Sequence, residues 1–230
     1  MNVKQRRDRV LEVLHLRNRF QFGQPKKKTS KTGYGKFACT DTCIQLIVKI
    51  AKNKNVSLNE VRKRSGAPST RGLRGSEARQ ALRRFGMDYE VMYGKDADQV
   101  ISMVKNRGPV ILAELYWAHP EWKGYRYAGQ TMDGRAIDQH GKSRWVGYAK
   151  DRWGKFRAGK TQWNFIGGHA VLVGTVLDEG IAVRDPNHNS PVRPERPAYD
   201  VINKAQLTRM LRSWPTGYTY ILAPKSKVVN

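Results

Sequence analysis

The chain has 230 residues, with 43 Lys and Arg against 19 Asp and Glu, which gives a formal net charge of +24. A chain of this length forms one hydrophobic core that needs no disulfide or metal to fold. Its apolar runs are far shorter than the roughly 20 residues that cross a bilayer, which excludes a membrane-spanning protein. The N-terminus lacks the basic-then-apolar order of a secretion signal, so we expect synthesis in a cytoplasm.

The excess of basic residues predicts a negatively charged partner, because basic chains bind polyanions with release of counterions. Nucleic acid and an acidic protein surface are both candidates, and the alternative is that the charge only maintains solubility. Residues 1–36 hold eleven Lys or Arg against Asp8 and Glu12, as in a basic arm. Apolar residues at helical spacing predict that 3–19 form a helix, which docks on the domain or on a neighbouring subunit. They are Val10, Leu11, Val13, Leu14 and Leu16.

After this arm, the first half of the chain is predicted to be mostly helical. Asp41 or Thr42 can cap a helix through the segment CIQLIVKIAKN, which places Cys43 in the first helical turn. Three more helices are predicted from their end signals. One follows the capping box SLNE, one lies in SEARQALRRFG, and one runs from Asp96 through Val104.

The remaining segments are typical of strands. DYEVMY, VILAELYW and GYTYILAP are each predicted to be one strand, and Asn203 caps a helix through Arg212. The segment GGHAVLVGTVLDEGIAVRDP has two β-branched runs joined at 178–180, which predicts an antiparallel hairpin. A helical half followed by an antiparallel sheet half is an α+β arrangement.

The position of Cys43 is suited to nucleophilic chemistry. A cysteine attacks carbonyls as its thiolate, and the start of a helix lowers thiol pKa because free amide groups and the helix dipole favour negative charge. The same amides can hold the oxyanion that forms on the attacked carbonyl. We therefore expect a reactive thiol at Cys43.

A catalytic thiol also needs an imidazole to take its proton, and an acceptor to orient that imidazole. His169 begins one strand of the predicted hairpin and Asp185 ends the other, so the two lie at the same end of the sheet. Each residue alone is more often structural, since small cysteines fill cores and strand histidines satisfy local hydrogen bonds. The combination of Cys43, His169 and Asp185 predicts a catalytic triad.

The order of the segments DTCIQLIVKIA, SLNEVRKRSG, GPVIL, GGHAVLVGTV and VRDPN resembles the papain-like cysteine peptidases, nearest the branch that processes bacteriocin leaders. The resemblance covers roughly residues 37–223. It implies a papain-like fold in which the nucleophile stands at a helix N-terminus, packed against the sheet half. It also implies that Cys43 is the nucleophile, His169 the general base and acid, and Asp185 the residue that orients the imidazole.

Two positions depart from the family pattern. Phe37 stands where family members place the glutamine that donates to the oxyanion, and Ile44 stands where a glycine usually follows the cysteine. Loss of one such donor commonly costs about 10²–10³ in rate. The sequence therefore leaves two functions open, an active cysteine peptidase or a non-catalytic protein that kept the fold within an assembly such as a phage virion. Transglutaminase and acetyltransferase chemistry on the same triad also remain open.

A segment of about 50 residues, 117–166, is longer than the connection that a compact domain of this type needs. After Trp117, nine aromatic residues alternate there with ten Lys or Arg, which suits either nucleic-acid stacking or, our preferred interpretation, a packed β-rich flap beside a peptide cleft. We predict an arm 1–36, a domain 37–224 with this insertion, and a tail 225–230. The aromatic residues are Trp122, Tyr125, Tyr127, Trp145, Tyr148, Trp153, Phe156, Trp163 and Phe165.

No cofactor or metal is predicted. Cys39, Cys43 and His169 lack both the Cys-x-x-Cys spacing and the second ligand pair that a zinc site requires. The two thiols are expected to stay reduced. His119, His140 and His188 belong to no recognisable pattern and receive no role.

Overall fold

The computed structural model describes residues 2–15, 38–68, 71–94, 96–117, 129–130, 135–137, 143–145, 166–186, 199–211 and 219–228, with the backbone alone at 114–117, 129–130, 135–137, 143–145, 166–169, 209 and 219. Six helices and nine strands are described. The helices are α1 (Val3–His15), α2 (Cys39–Lys52), α3 (Leu58–Ser65), α4 (Gly75–Arg84), α5 (Ala97–Asn106) and α6 (Lys204–Leu211). The strands are β1 (Tyr89–Gly94), β2 (Val110–Trp117), β3 (Gly129–Gln130), β4 (Arg135–Ile137), β5 (Ser143–Trp145), β6 (Ile166–Val176), β7 (Ile181–Arg184), β8 (Asp200–Ile202) and β9 (Thr219–Pro224).

Most predicted helix ends are confirmed by the hydrogen bonds at their caps. The Ser57 hydroxyl accepts from the Glu60 amide at the start of α3, and the Asp96 carboxylate accepts from Asp98 at the start of α5. Asn203 caps α6 in the same way, since its Oδ1 accepts from an amide in the first turn at 2.8 Å. These caps form because each acceptor satisfies an amide that has no partner within its helix.

The start of α2 differs from the prediction. Neither Asp41 nor Thr42 is its N-cap, because the helix begins one turn earlier, with Ala38 at the cap position and no side-chain cap. The Asp41 carboxylate is bound by Arg62 instead, and the Thr42 hydroxyl donates to the Ala38 carbonyl at 2.8 Å. Both candidate caps are therefore engaged elsewhere.

The predicted N-terminal helix exists as α1 and docks on its own domain. Val10, Val13 and Leu14 are buried, and Leu14 packs against Gly174 of β6. Arg9 donates to the Lys49 carbonyl at the end of α2. Residues 3–15 thus contribute to the core, while the rest of the proposed arm lies outside the described residues.

The predicted strands assemble into one six-stranded antiparallel sheet of order β1-β9-β2-β6-β7-β8. The hairpin of β6 and β7 is confirmed, with Leu172 opposite Arg184 and Val176 opposite Ile181. Gly180 adopts φ +155° in the connecting turn, where an added Cβ would lie 2.6 Å from the Ile202 carbonyl oxygen. The short edge strand β8 was not predicted, since three residues carry little periodic signal.

Helices cover both faces of this sheet. Leu172 and Ala170 of β6 pack in a core with residues of α1, α2 and α4, whereas Val171 and Val173 pack with residues of α5 and α6. Alternate residues of one strand point to opposite faces, so β6 is buried on both sides. The helices and the antiparallel sheet confirm the predicted α+β class.

The insertion contains a second, three-stranded antiparallel sheet of β3, β4 and β5. Its pairs include Gly129 with Ile137 and Arg135 with Trp145. This backbone agrees with the β-rich interpretation of the segment. Apart from these short strands, residues 118–165, including most of the aromatic residues named above, lie outside the described part of the chain.

Candidate active site

Cys43 lies near the N-terminus of α2, in its second turn, and its side chain is fully buried. The helix start at Cys39 means that the amides without helical partners belong to residues 38–41. The Cys43 amide bonds within the helix instead, so the free amides that could hold an oxyanion belong to the preceding turn.

The pKa of the Cys43 thiol lies well above its ordinary value. Burial is the main cause, since it penalises the thiolate, and negative charge at Cys39, Asp185 and Asp41 acts in the same direction. The positive charge of Arg184 opposes these effects. This raised pKa differs from the expectation that the helix start lowers it, and the main cause is desolvation of the thiol.

Asp185 follows directly on β7 and is 3% exposed, and its neighbour Arg184 is 2% exposed. Both charges act on the pKa of the Cys43 thiol, Asp185 raising it and Arg184 lowering it. α2 packs against β6, the partner strand of β7. Cys43 and Asp185, the first and last members of the predicted triad, are thus both buried.

His169 lies in β6, where its backbone is opposite Leu115 of β2. The register of the hairpin places Leu172 opposite Arg184, so His169 is three residues along β6 from the position beside Arg184. Its side chain lies outside the described part of the structure. The triad of Cys43, His169 and Asp185 therefore stays a prediction.

A buried ion pair lies next to this site and was not predicted. Arg62 of α3 binds Asp41 of α2, with 2.7 Å from Nε to Oδ1 and 2.8 Å from Nη2 to Oδ2. Its Nη1 also donates to the carbonyls of Pro68 and Arg71 at 2.9 and 2.8 Å. One guanidinium thus joins the first turn of α2, two residues before Cys43, to the loop that precedes α4.

Burial raises the pKa of Asp41 to about 6, although the charge and hydrogen bonds of Arg62 lower it. The balance follows from position, because a fully buried carboxylate loses its hydration and recovers only part of that free energy from one arginine. Asp41 thus stands among the negative charges that disfavour a thiolate at Cys43.

Cys39 begins α2 and is 6% exposed, and both cysteines are free thiols. Within the described ranges, no group of three or more His, Cys, Asp or Glu side chains is placed to hold a metal ion. The described helices include none long and apolar enough to cross a membrane.

Sequence reasoning missed Arg62, Arg184 and the role of Asp41. The signal available for Arg184 was its position directly before Asp185 at the end of a buried apolar strand, where a charged residue is rare unless it is paired. Arg62 gave no such signal, because it stands within the basic run RKR of a short helix, directly before the exposed Lys63.

Three solved structures of peptidases are similar to this chain. The chain is similar to the peptidase domain of Streptococcus ComA, a bifunctional ABC transporter of a quorum-sensing pathway, at 16% identity and a TM-score of 0.42, over 90% of this chain and 99% of that one. It is similar to a C39-like peptidase from Bacillus anthracis at 12% identity and a TM-score of 0.48, over 93% and 98% of the two chains.

The third structure is a double-glycine-motif protease from an AMS/PCAT transporter in complex with the leader peptide, at 13% identity and a TM-score of 0.42, over 90% and 96% of the two chains. No protein-family model and no curated protein matches the chain. All three neighbours are peptidase structures.

Proposed function

We propose that the chain is a cysteine peptidase in which Cys43 attacks a peptide or related amide bond, with His169 as base and Asp185 as the residue that orients it. The observation that carries this proposal is that Cys43 and Asp185 are both buried and that the Asp185 charge acts on the pKa of the Cys43 thiol. The strand that carries His169 packs against α2.

The reaction would follow the acyl-thioester route. The Cys43 thiol gives its proton to His169 as its sulfur bonds to the carbonyl carbon, and the leaving amine takes that proton as the C–N bond breaks. Water then hydrolyses the thioester and regenerates the thiol. The resemblance to leader-processing peptidases favours substrates with small residues such as Gly beside the scissile bond.

One observation favours a second function, a non-catalytic protein with a papain-like fold. Cys43 is fully buried and its pKa is raised, whereas a nucleophile must be exposed to substrate and present as thiolate. Phe37 at the usual glutamine position agrees with this alternative. In that case the basic arm and the insertion would bind nucleic acid or lock the chain into an assembly such as a virion.

Thiol labelling tests the two functions. The full chain is treated with iodoacetamide near neutral pH, and modification of Cys43 and Cys39 is followed by peptide mass spectrometry. A peptidase site predicts faster labelling of Cys43, and slower labelling of Cys43 alone in His169→Ala, because only that thiol has an imidazole base. Slow labelling of both thiols, unchanged in His169→Ala, contradicts the triad and supports the non-catalytic protein.

Turnover is tested separately with a library of Gly-containing peptides. Cleavage that is lost in Cys43→Ala and retained in Cys39→Ala supports the peptidase, and the control shows that loss of a buried thiol alone does not explain the result. Transfer of the acyl group to an added primary amine in place of water would reveal the transferase chemistry that the same triad allows.

A further inference from the structure

The helices α3 and α4 carry a group of exposed cations that the candidate active site does not use. The segment 57–86 contains eight Lys or Arg and only two acidic residues, Glu60 and Glu77. The Arg62 side chain is already paired with the buried Asp41 carboxylate. The two glutamates are also engaged, Glu60 by Arg64 at 3.2 Å and Glu77 by Arg71.

Five cations of this segment remain exposed, and none of them forms an ion pair with another residue in the part of the chain that the structure describes. We call them the α3–α4 basic face: Lys63, Arg74, Arg79, Arg83 and Arg84. Arg79 and Arg83 stand one turn apart on α4 and are exposed, whereas Ala78 and Leu82 of the same helix are buried. The cations therefore follow the solvent side of the helix rather than surrounding it.

Specific contacts hold the two helices together beneath this face. The Arg64 guanidinium donates to the Arg84 carbonyl, and Arg84 donates back to the Arg64 carbonyl at 2.9 Å. Arg64 also lies 4.2 Å from the centre of the Phe85 ring. The C-terminal ends of α3 and α4 are thus tied to each other, so the face is carried on a fixed scaffold.

Only some of these basic residues are explained by a role at the C-terminal end of a helix. Basic residues near a helix C-terminus compensate the exposed carbonyls, as Arg64 and Arg84 do here. Lys63, Arg79 and Arg83 make no described hydrogen bond to such carbonyls. Like charges one turn apart, as at Arg79 and Arg83, destabilise an isolated helix, so a bound anion would relieve a cost that the fold otherwise carries.

We propose that the α3–α4 basic face binds the phosphate backbone of a nucleic acid. Four of its five cations are arginines, whose planar guanidinium donates two hydrogen bonds to one phosphate. This face differs from the N-terminal arm and the insertion, where the sequence predicts basic contacts, and the proposal does not depend on the peptidase chemistry.

The composition of the face favours nucleic acid over other anionic partners. Membrane surfaces and protein partners are usually held by exposed aromatic or aliphatic anchors in addition to charge. In the part of the chain that the structure describes, the large exposed hydrophobic side chains are Val3, Tyr93 and Val201, and none of them belongs to α3 or α4. A surface with several cations and no exposed hydrophobic side chain matches the regularly spaced phosphates of a nucleic-acid backbone.

The test uses two variants of the full chain that lose the same charge. Lys63→Gln/Arg79→Gln/Arg83→Gln removes three cations of the face that make no described contact. The matched control, Lys105→Gln/Lys204→Gln/Lys227→Gln, removes three exposed cations from α5, α6 and the C-terminal tail. Affinity for a fluorescent DNA duplex of about 20 base pairs is measured across a salt series, with circular dichroism to confirm that both variants are folded.

If the face binds phosphate, the slope of log affinity against log salt becomes shallower by about 2 to 3 in the face variant, and by less than about 1 in the control. Equal changes in the two variants would overturn the proposal, since they mean that only total charge matters. An oligomer of glutamate that competes with DNA as well as a matched DNA does would also overturn it, because the face would then recognise acidic side chains rather than phosphate.

Discussion

The Asp41 carboxylate and the Arg62 guanidinium form a two-point ion pair that is closed to solvent, with exposed fractions of 0% and 3%. Because Arg62 also donates to two loop carbonyls, this single side chain fixes α2, α3 and the segment before α4 relative to one another. Cys43 stands two residues after Asp41, so the geometry of the proposed nucleophile depends on this pair.

Removing one partner of the pair is expected to be strongly destabilising. Arg62→Met leaves a buried carboxylate and two carbonyls without their donors, so we expect a loss of about 3–5 kcal/mol in the free energy of unfolding. The measurement is urea denaturation followed by circular dichroism. Lys204→Gln is the control, because it breaks the exposed pair with Asp98 and should cost less than about 1 kcal/mol. Similar losses in both variants would show that the buried Asp41–Arg62 pair contributes no more to the free energy of unfolding than an exposed pair does.

The pH dependence of stability should show the raised pKa of Asp41. Its pKa is about 6 in the fold against an ordinary value of 3.8, so between these values the folded chain binds the proton that the unfolded chain releases. By linkage, the contribution of Asp41 to the free energy of unfolding decreases as pH rises from about 4 to 6. The unfolding free energy of wild type relative to Asp41→Asn should therefore fall across this window. A difference that rises with pH would mean that Arg62 outweighs burial and that the folded pKa lies below 3.8.

The sequence predicted best those features that are decided by neighbouring residues. Ser57, Asp96 and Asn203 cap their helices as expected, because a cap needs only an acceptor two or three positions before a free amide. The β6–β7 hairpin is equally local, with two apolar runs and a glycine turn. The class of fold follows from the order of these elements.

Features set by distant residues were not predictable in this way. Asp41 is a good cap by its type, yet Arg62, 21 residues later, binds its side chain and α2 begins earlier. The prediction of a lowered pKa for Cys43 differs from the structure for a similar reason. The sequence shows the helix start but not the burial that raises the pKa. Of the candidate triad, Cys43 and Asp185 are both buried, and the triad itself remains a prediction.

The carboxylate of Asp185 should have a measurable effect on the thiol. Its negative charge raises the pKa of Cys43, so Asp185→Asn should lower that pKa, and each unit of decrease raises the thiolate fraction about tenfold at a fixed pH. The measurement is the midpoint of the pH profile for iodoacetamide labelling of Cys43, which is less sensitive to burial than the rate itself. Glu179→Gln, in the exposed turn between β6 and β7, is the control and should leave the midpoint unchanged.

The same variant separates electrostatics from catalysis. If Asp185 orients the His169 imidazole, Asp185→Asn should decrease peptide cleavage even as the thiol becomes easier to ionise, because the base loses its correct tautomer. A midpoint that moves upward would show that Asp185 acts on Cys43 mainly through another group. It would also weaken the proposed assignment of the triad.

Docking of α1 on the sheet should depend on the absence of a side chain at Gly174. A Cβ there would lie 2.4 Å from Leu14 Cδ1 and 3.1 Å from Val10 Cγ1, so Gly174→Ala must displace the helix or its side chains. We expect a loss of about 1–3 kcal/mol in unfolding free energy, as for other overpacked cores. Gly72→Ala is the control, because no atom lies within 4 Å of its added Cβ, and it should change stability by less than about 0.5 kcal/mol.

A double-mutant cycle shows whether the cost at Gly174 arises from the contact with Leu14. Leu14→Ala alone should cost about 2–5 kcal/mol, because its side chain is fully buried between α1 and the sheet. In Gly174→Ala/Leu14→Ala the clashing Cδ1 is gone and the new methyl group fills part of the cavity. The double variant should therefore be more stable than the sum of the single losses predicts, by about 1 kcal/mol or more. Strict additivity would mean that α1 does not rest on Gly174, and that residues 3–15 behave as part of a separate arm rather than of the core.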